Sequence, residues 1–137
     1  MGSFMLIDTN IWLELLLKQN KYPEVLTFLD KTQSDPLYTT EFTLYSISIL
    51  LTRYKKYETL EDFINDVIIN GNVILLKISP EEIPAIIKIA DKYTLDFDDS
   101  YQYYISEREN LVLVSYDSDF DRTPKGRKTP GQIITMT

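Results

Sequence analysis

The stretch Phe4-Met5-Leu6-Ile7-Asp8-Thr9-Asn10 decides the reading of this chain. Residues 4–7 form an unbroken apolar run that ends abruptly at Asp-Thr-Asn, the pattern of a short strand buried on both faces. Residues 11–17 continue at helical spacing, with Ile11 above Leu15 and Trp12 above Leu16. A buried strand that hands an acidic residue to the start of a helix is the opening of a parallel α/β unit. In such sheets the ligand crevice lies beyond the carboxyl ends of the strands.

The same alternation repeats along the chain. Residues 22–31 read as a helix with Pro23 in the first turn, and Asp35-Pro36 is a turn. Residues 37–39 make a brief strand. A helix over 41–55 follows, expected to be well buried because Phe42, Tyr45 and Ile49 line one row and Leu44, Ile47, Leu51 and Tyr54 another. Residues 59–70 form a further helix closed by Gly71, and 73–78 a strand. Ser79-Pro80-Glu81-Glu82 supplies an N-cap, a proline at the first helical position and a glutamate at the third. Residues 101–109 are helical, 111–115 are a buried strand, and 132–135 are expected as a last strand after a loop marked by Pro124, Gly126, Pro130 and Gly131. The prediction is one domain over 1–137, a three-layer α/β/α fold around a parallel sheet of about five strands. Met5 is an alternative native start, which would leave Met1 to Phe4 as an expression remnant.

Composition removes many chemistries. The 137 residues contain no His and no Cys, so disulfides, thiolate nucleophiles, Cys/His zinc sites and the usual Ser-His-Asp triad are excluded. The net charge of −7 gives no long-range attraction to phosphate, so a nucleic-acid ligand would need local bases or bound cations. No apolar run approaches a membrane span, and a cysteine-free chain fits a reducing cytoplasm. Carboxylates with a hard, oxygen-loving metal ion are the most economical catalytic means left.

Four carboxylates can be placed at one edge of the predicted sheet. Asp8 ends the first strand, Glu41 opens the helix after the second, Asp99 lies in the first turn of the helix before 111–115, and Asp117 lies just beyond that strand. Together they would repel one another, and Mg²⁺ or Mn²⁺ would resolve the conflict. Each has a plainer reading. Asp8 can cap a helix, Glu41 can complement a helix N-terminus, Asp99 can pair with Asp96 in a capping box, and Asp117, Asp119 and Asp121 can be a solvated loop. Position alone does not choose among Asp96, Asp98 and Asp99. A calcium-loop reading of residues 117–128 fails, because Arg122 stands where glycine is required and Lys128 where a bidentate glutamate is required.

These motifs resemble the PIN-domain family, and within it the VapC-like toxins, over residues 6 to about 120. Leu6-Ile7-Asp8-Thr9-Asn10 is similar to the first family motif. Glu41, on a helix that later carries Arg53, is similar to the second acid. Leu95-Asp96-Phe97-Asp98-Asp99-Ser100 is similar to the third, which selects Asp99. Leu113 to Phe120 is similar to the fourth, with Asp117 as the acid and Ser115 as a site-lining hydroxyl. The resemblance implies Mg²⁺- or Mn²⁺-dependent cleavage of RNA. It assigns Asp8, Glu41, Asp99 and Asp117 to catalysis and metal binding, with Thr9, Asn10, Ser115 and Asp119 in support. It also implies a toxin that dimerises and is silenced by an antitoxin protein. Two departures stand out: Asn110 where glycine is common, an exchange that still tolerates a left-handed turn, and a tyrosine-rich helix (Tyr101, Tyr103, Tyr104) where alanine is common.

Residues 91 to 121 hold nine acids and two bases, whereas residues 122 to 137 hold four bases, Arg122, Lys125, Arg127 and Lys128, and no acid. That basic loop is a candidate contact for RNA phosphates, or else a counterweight to nearby acids. Two other functions compete: a haloacid-dehalogenase-like phosphatase using Asp8 as nucleophile, for which Asn10 replaces the usual second aspartate, and a non-catalytic PIN-like module that binds RNA or protein.

Overall fold

The computed structural model describes residues 4–136. Four parallel strands, β1 (Met5–Ile7), β2 (Leu37–Thr40), β3 (Val73–Leu76) and β4 (Val112–Val114), lie in the order β3-β2-β1-β4. The helices among the described residues are α1 (Thr9–Leu16), α2 (Tyr22–Lys31), α3 (Glu41–Arg53), α4 (Tyr57–Asp62), α5 (Ile83–Tyr93), α6 (Phe97–Arg108) and α7 (Pro130–Thr135). Phe63–Ile69 prolongs α4 as a π-helical segment.

The expected three layers follow from the two-residue period of β1. Met5 and Ile7 enter one core with Trp12, Phe28, Ile47 and Phe63, while Leu6 enters a second core on the opposite face with Ile86, Tyr103, Ile105 and Leu113. Both faces of the strand are therefore dry. Trp12, Leu6 and Ile7 are each fully buried. Burying side chains of this size is worth about 1.5–3 kcal/mol apiece, which fixes the register of a strand only three residues long.

That register builds the site. Leu6 pairs with Leu113 and Ile7 with Val114, and the Asp8 amide then donates to the Val114 carbonyl at 3.0 Å. The ends of β1 and β4 are thus level. The chain leaves β1 toward β2 on one side, while β4 joins on the other, so the strand order switches between β1 and β4. A crevice is expected at that switch point.

Two expectations are corrected. Residues 132–135 do not form a strand; they belong to α7. Thr129 accepts from the Gln132 amide at 3.2 Å, Gln132 Oε1 accepts from the Thr129 amide at 2.8 Å, and Pro130 occupies the first turn. The place of a fifth strand is held by one residue. Lys128 bridges to β4, its amide donating to Leu113 O at 2.8 Å and its carbonyl accepting from the Ser115 amide at 3.0 Å. Helix α3 is also less buried than its apolar rows suggest. Thr43, Ile47 and Leu51 face the core, but Tyr45 and Ile49 are 57% and 60% exposed. The alternative start at Met5 concerns residues 1–4, of which 1–3 lie outside the described residues, while the Phe4 carbonyl accepts from the Val112 amide at 2.9 Å.

Asn110 adopts the left-handed conformation at φ 53°, so the turn into β4 survives without glycine. Gly71 is required for a different reason: a Cβ there would come within 2.2 Å of the Val67 carbonyl oxygen. Gly71→Ala should therefore lower stability by about 1–3 kcal/mol in urea unfolding. An unchanged midpoint would show that the backbone can relax around the added methyl.

Candidate metal centre

Asp8 caps α1 by accepting from the Thr9 amide, and it is only 5% exposed. Burying an unpartnered carboxylate would be prohibitive, and this one is saturated with donors. Oδ1 accepts from Thr9 N at 2.8 Å and from Gln102 Nε2 at 2.9 Å. Oδ2 accepts from Ser115 Oγ at 2.7 Å and, more weakly, from Asn10 Nδ2 at 3.4 Å. Burial pushes its pKa up and the charge of Asp117 adds to that rise, while Gln102, Ser115 and Thr9 oppose it. Capping and site-building are therefore two uses of one side chain.

Asn10 and Ser115 behave as a clip between β1 and β4. Asn10 donates to Ser115 Oγ at 3.1 Å and accepts from the Tyr116 amide at 3.1 Å. Ser115 Oγ also accepts from the Asp117 amide at 3.0 Å, which turns the chain toward the crevice. Asp117 then caps a short 3-10 turn, Ser118–Arg122, by accepting from the Asp119 amide at 2.9 Å.

Asp99 comes from the first turn of α6. Asp96 is the N-cap residue by backbone but makes no side-chain capping bond, so the capping-box reading of the pair has no support. Asp99, Asp117 and Asp119 each offer a carboxylate oxygen within 4.8 Å of the others. Asp96, Asp98 and Asp99 form a second such group, in which Asp96 and Asp98 are exposed. A cavity of about 250 Å³ opens here, lined by Asp8, Asp98, Asp99, Asp117 and Gln102, with Phe42 and Ser46 contributed by α3.

The acids repel one another as expected. Asp99 is pushed from 3.8 up to about 8 by burial first, and then by the charges of Asp117, Asp98 and Asp8. Three oxygen donors from two segments, the first turn of α6 and the loop after β4, lie close together with only Asp119 paired to a base, and such a set fits a hard divalent cation.

Glu41 stands apart. Thr40 is the N-cap of α3 and accepts from the Thr43 amide at 3.1 Å, which puts Glu41 at the first helical position and Thr43 at the third. Two residues on a helix turn the side-chain direction by about 200°, so Glu41 faces away from Thr43. Its carboxylate accepts from the Tyr45 hydroxyl at 3.3 Å, and it does not line the cavity. Thr43 is the α3 residue that reaches the buried polar network, bonding to Thr9 Oγ1 at 2.9 Å and accepting from Gln102 Nε2 at 2.8 Å. The sequence reading missed both Thr43 and Gln102. The available signal was spacing, because Gln102 follows Asp99 by three residues and shares its helix face.

Most of the basic loop is committed to the fold. Arg122 pairs with Asp119 at 2.7 Å and donates to the carbonyls of Tyr93 and Thr94. Arg127 pairs with Asp121 at 3.1 Å and donates to Ser115 O at 3.2 Å. Lys125 Nζ donates to Ser106 O at 2.6 Å, and Lys128, whose backbone makes the bridge to β4, is exposed. These side chains balance acids and tie the site loop down.

Parallel strands with a cluster of carboxylates beyond their ends, at a switch in strand order, define an α/β protein with an acidic centre. The chain belongs to the PIN domain family, whose model matches residues 5–126. No curated protein sequence matches it. Solved structures with the same fold include a toxin-antitoxin complex from Klebsiella pneumoniae, 20% identical, covering 92% of this chain and 97% of the other at a TM-score of 0.71. FitAcB from Neisseria gonorrhoeae is 19% identical, covering 93% and 99% at 0.72. VapC20 from Mycobacterium tuberculosis, described as a sarcin-ricin loop cleaving toxin, is 14% identical, covering 85% and 92% at 0.71.

The raised Asp99 has a consequence for stability. Between about 4 and about 8 the folded, metal-free chain holds a proton that the unfolded chain has released, and Asp8 is shifted in the same direction. Its contribution is therefore full at low pH and lost as pH rises through about 8. Glu82, held at about 2 by the Ser79 amide and Arg108, acts only in the acid range. The melting temperature of the metal-free protein should fall from pH 5 to pH 8.5, and Asp99→Asn should flatten that fall. A wild-type melting temperature that rises across this range would contradict the electrostatic account.

Proposed function

We propose that the chain is a Mg²⁺- or Mn²⁺-dependent endoribonuclease and the toxin of a toxin–antitoxin pair. The observation that carries this reading is the convergence of Asp99, Asp117 and Asp119 within 4.8 Å, beside the buried Asp8, at the sheet edge. Asp99 and Asp117 would hold the cation directly, with Asp8 and Asp119 completing the anionic wall. When bound, the metal would supply positive charge against a phosphodiester and lower the pKa of a coordinated water.

The chain's own residues do the rest. Ser115 and Asn10 hold Asp8 and aim the Asp117 loop. Arg122 keeps Asp119 in place from one side. Phe42 forms part of the cavity wall. Among the four loop bases, exposed Lys128 is the best placed to meet a flanking phosphate without breaking an ion pair.

The toxin role and an antitoxin partner draw support from the family and from the likeness to toxin–antitoxin structures, and a homodimeric state and a cytoplasmic setting are proposed with them. Among the described residues no helix is long and apolar enough to cross a membrane. The phosphatase alternative loses ground on geometry. A nucleophilic Asp8 needs a free oxygen, and both of its oxygens are engaged by two donors each.

Purified protein should cleave structured RNA with Mn²⁺ and stop in EDTA. Asp99→Asn and Asp117→Asn should each reduce the rate by about 10²–10³-fold, whereas Glu41→Gln should stay within a few-fold of wild type. Cleavage that survives both chelation and the aspartate substitutions would refute the nuclease reading. Binding of RNA without cleavage would favour a non-catalytic module.

A further inference from the structure

Gln102 is 2% exposed, and both donors and the carbonyl oxygen of its amide are engaged. Nε2 donates to Asp8 Oδ1 at 2.9 Å and to Thr43 Oγ1 at 2.8 Å, while Oε1 accepts from Thr40 Oγ1 at 2.8 Å. Thr40 and Thr43 are themselves buried, and Thr43 passes on to Thr9 Oγ1 at 2.9 Å. A reversed amide would set Oε1 against the Asp8 carboxylate, two acceptors facing each other with no proton between them. The network therefore admits one orientation, with a donor facing Asp8.

Among the donors to Asp8, Thr9 N belongs to the helix cap and Asn10 and Ser115 to the β1–β4 clip. Gln102 alone among these donors comes from α6, one turn after Asp99. It thus ties the helix that carries Asp99 to the strand end that carries Asp8. The two threonines of the β2–α3 junction anchor it from behind. Helix α3, from which a fourth acid was expected, contributes the neutral Thr43 hydroxyl to this network instead.

We infer that Gln102 is a positioning residue of the metal centre, which sets the Asp8 carboxylate and the first turn of α6 in the mutual geometry that cation binding requires. This inference rests on the metal-site reading above. A side chain that orients a ligand from behind commonly governs affinity by about 10–100-fold, and no sequence motif of the site includes this glutamine.

Mn²⁺ binding, followed by calorimetry and by loss of the free-ion electron paramagnetic resonance signal, tests it without any appeal to activity. Gln102→Met keeps the length and removes the amide. Gln102→Glu keeps an acceptor for Thr40 but loses the donors to Asp8 and Thr43 and faces Asp8 with an oxygen, and it serves if the methionine variant fails to fold. Wild type should bind Mn²⁺, and either folded variant should bind about 10–100-fold more weakly. Thr32→Val, at a buried hydroxyl on the far side of the fold that bonds only to the Phe28 and Leu29 carbonyls, should leave Mn²⁺ affinity unchanged whatever it does to melting temperature. Folded Gln102 variants with wild-type Mn²⁺ affinity would overturn the positioning role and leave the metal site standing. A wild type that binds no Mn²⁺ would overturn both.

Discussion

A carboxylate buried at the end of the central strand is the constraint around which this fold is arranged. Asp8 lies between two apolar cores, where an unsolvated charge is intolerable unless its oxygens are met by donors. Those donors come from three places: the start of α1, the end of β4 and the middle of α6. Satisfying Asp8 therefore requires that β1 and β4 be in register and that α6 lie across their ends. The same bonds bring Asp99 and Asp117 to the crevice. Solving a local burial problem and assembling the site are one event.

The assembled acids are in tension with stability. Asp99 is pushed well above the ordinary carboxylate range by burial and by its acidic neighbours, the mark of a site that lacks positive charge. The fold relieves this only at the rim, where Arg122 holds Asp119 and Arg127 holds Asp121. Both pairs are surface features of small energetic weight. Their effect is to pin the loop after β4 while leaving Asp99 and Asp117 uncompensated, so that strain remains available to a cation.

Much of this was legible in the sequence, for physical reasons. Buried parallel strands read as apolar runs, so β1 and the acid after it were plain and Asp117 stood just beyond the strand 111–115, whereas Asp99 was singled out from Asp96 and Asp98 only by the family resemblance. Glu41 opens α3 as read, but Thr40 caps that helix, and it is Thr43 at the third position, rather than Glu41 at the first, that turns toward the buried polar network. The tail at 132–135 reads as a strand on its isoleucines, yet Thr129, Pro130 and Gln132 repeat the helix-start pattern recognised at Ser79, Pro80 and Glu82. Gln102 could not be chosen by type, since glutamine in a helix is ordinary. Only three-dimensional contact with Asp8 and two hydroxyls gives it meaning. The outward rows of α3 show the reverse error, where apolar composition overstated burial.

The most direct measurement is anomalous scattering from a crystal of the wild-type protein soaked in Mn²⁺. The account predicts a peak in the cavity at the carboxyl ends of β1 and β4, about 2.0–2.2 Å from oxygens of both Asp99 and Asp117. Peaks confined to exposed carboxylates such as Asp96 and Asp98, with the cavity empty at saturating Mn²⁺, would contradict it.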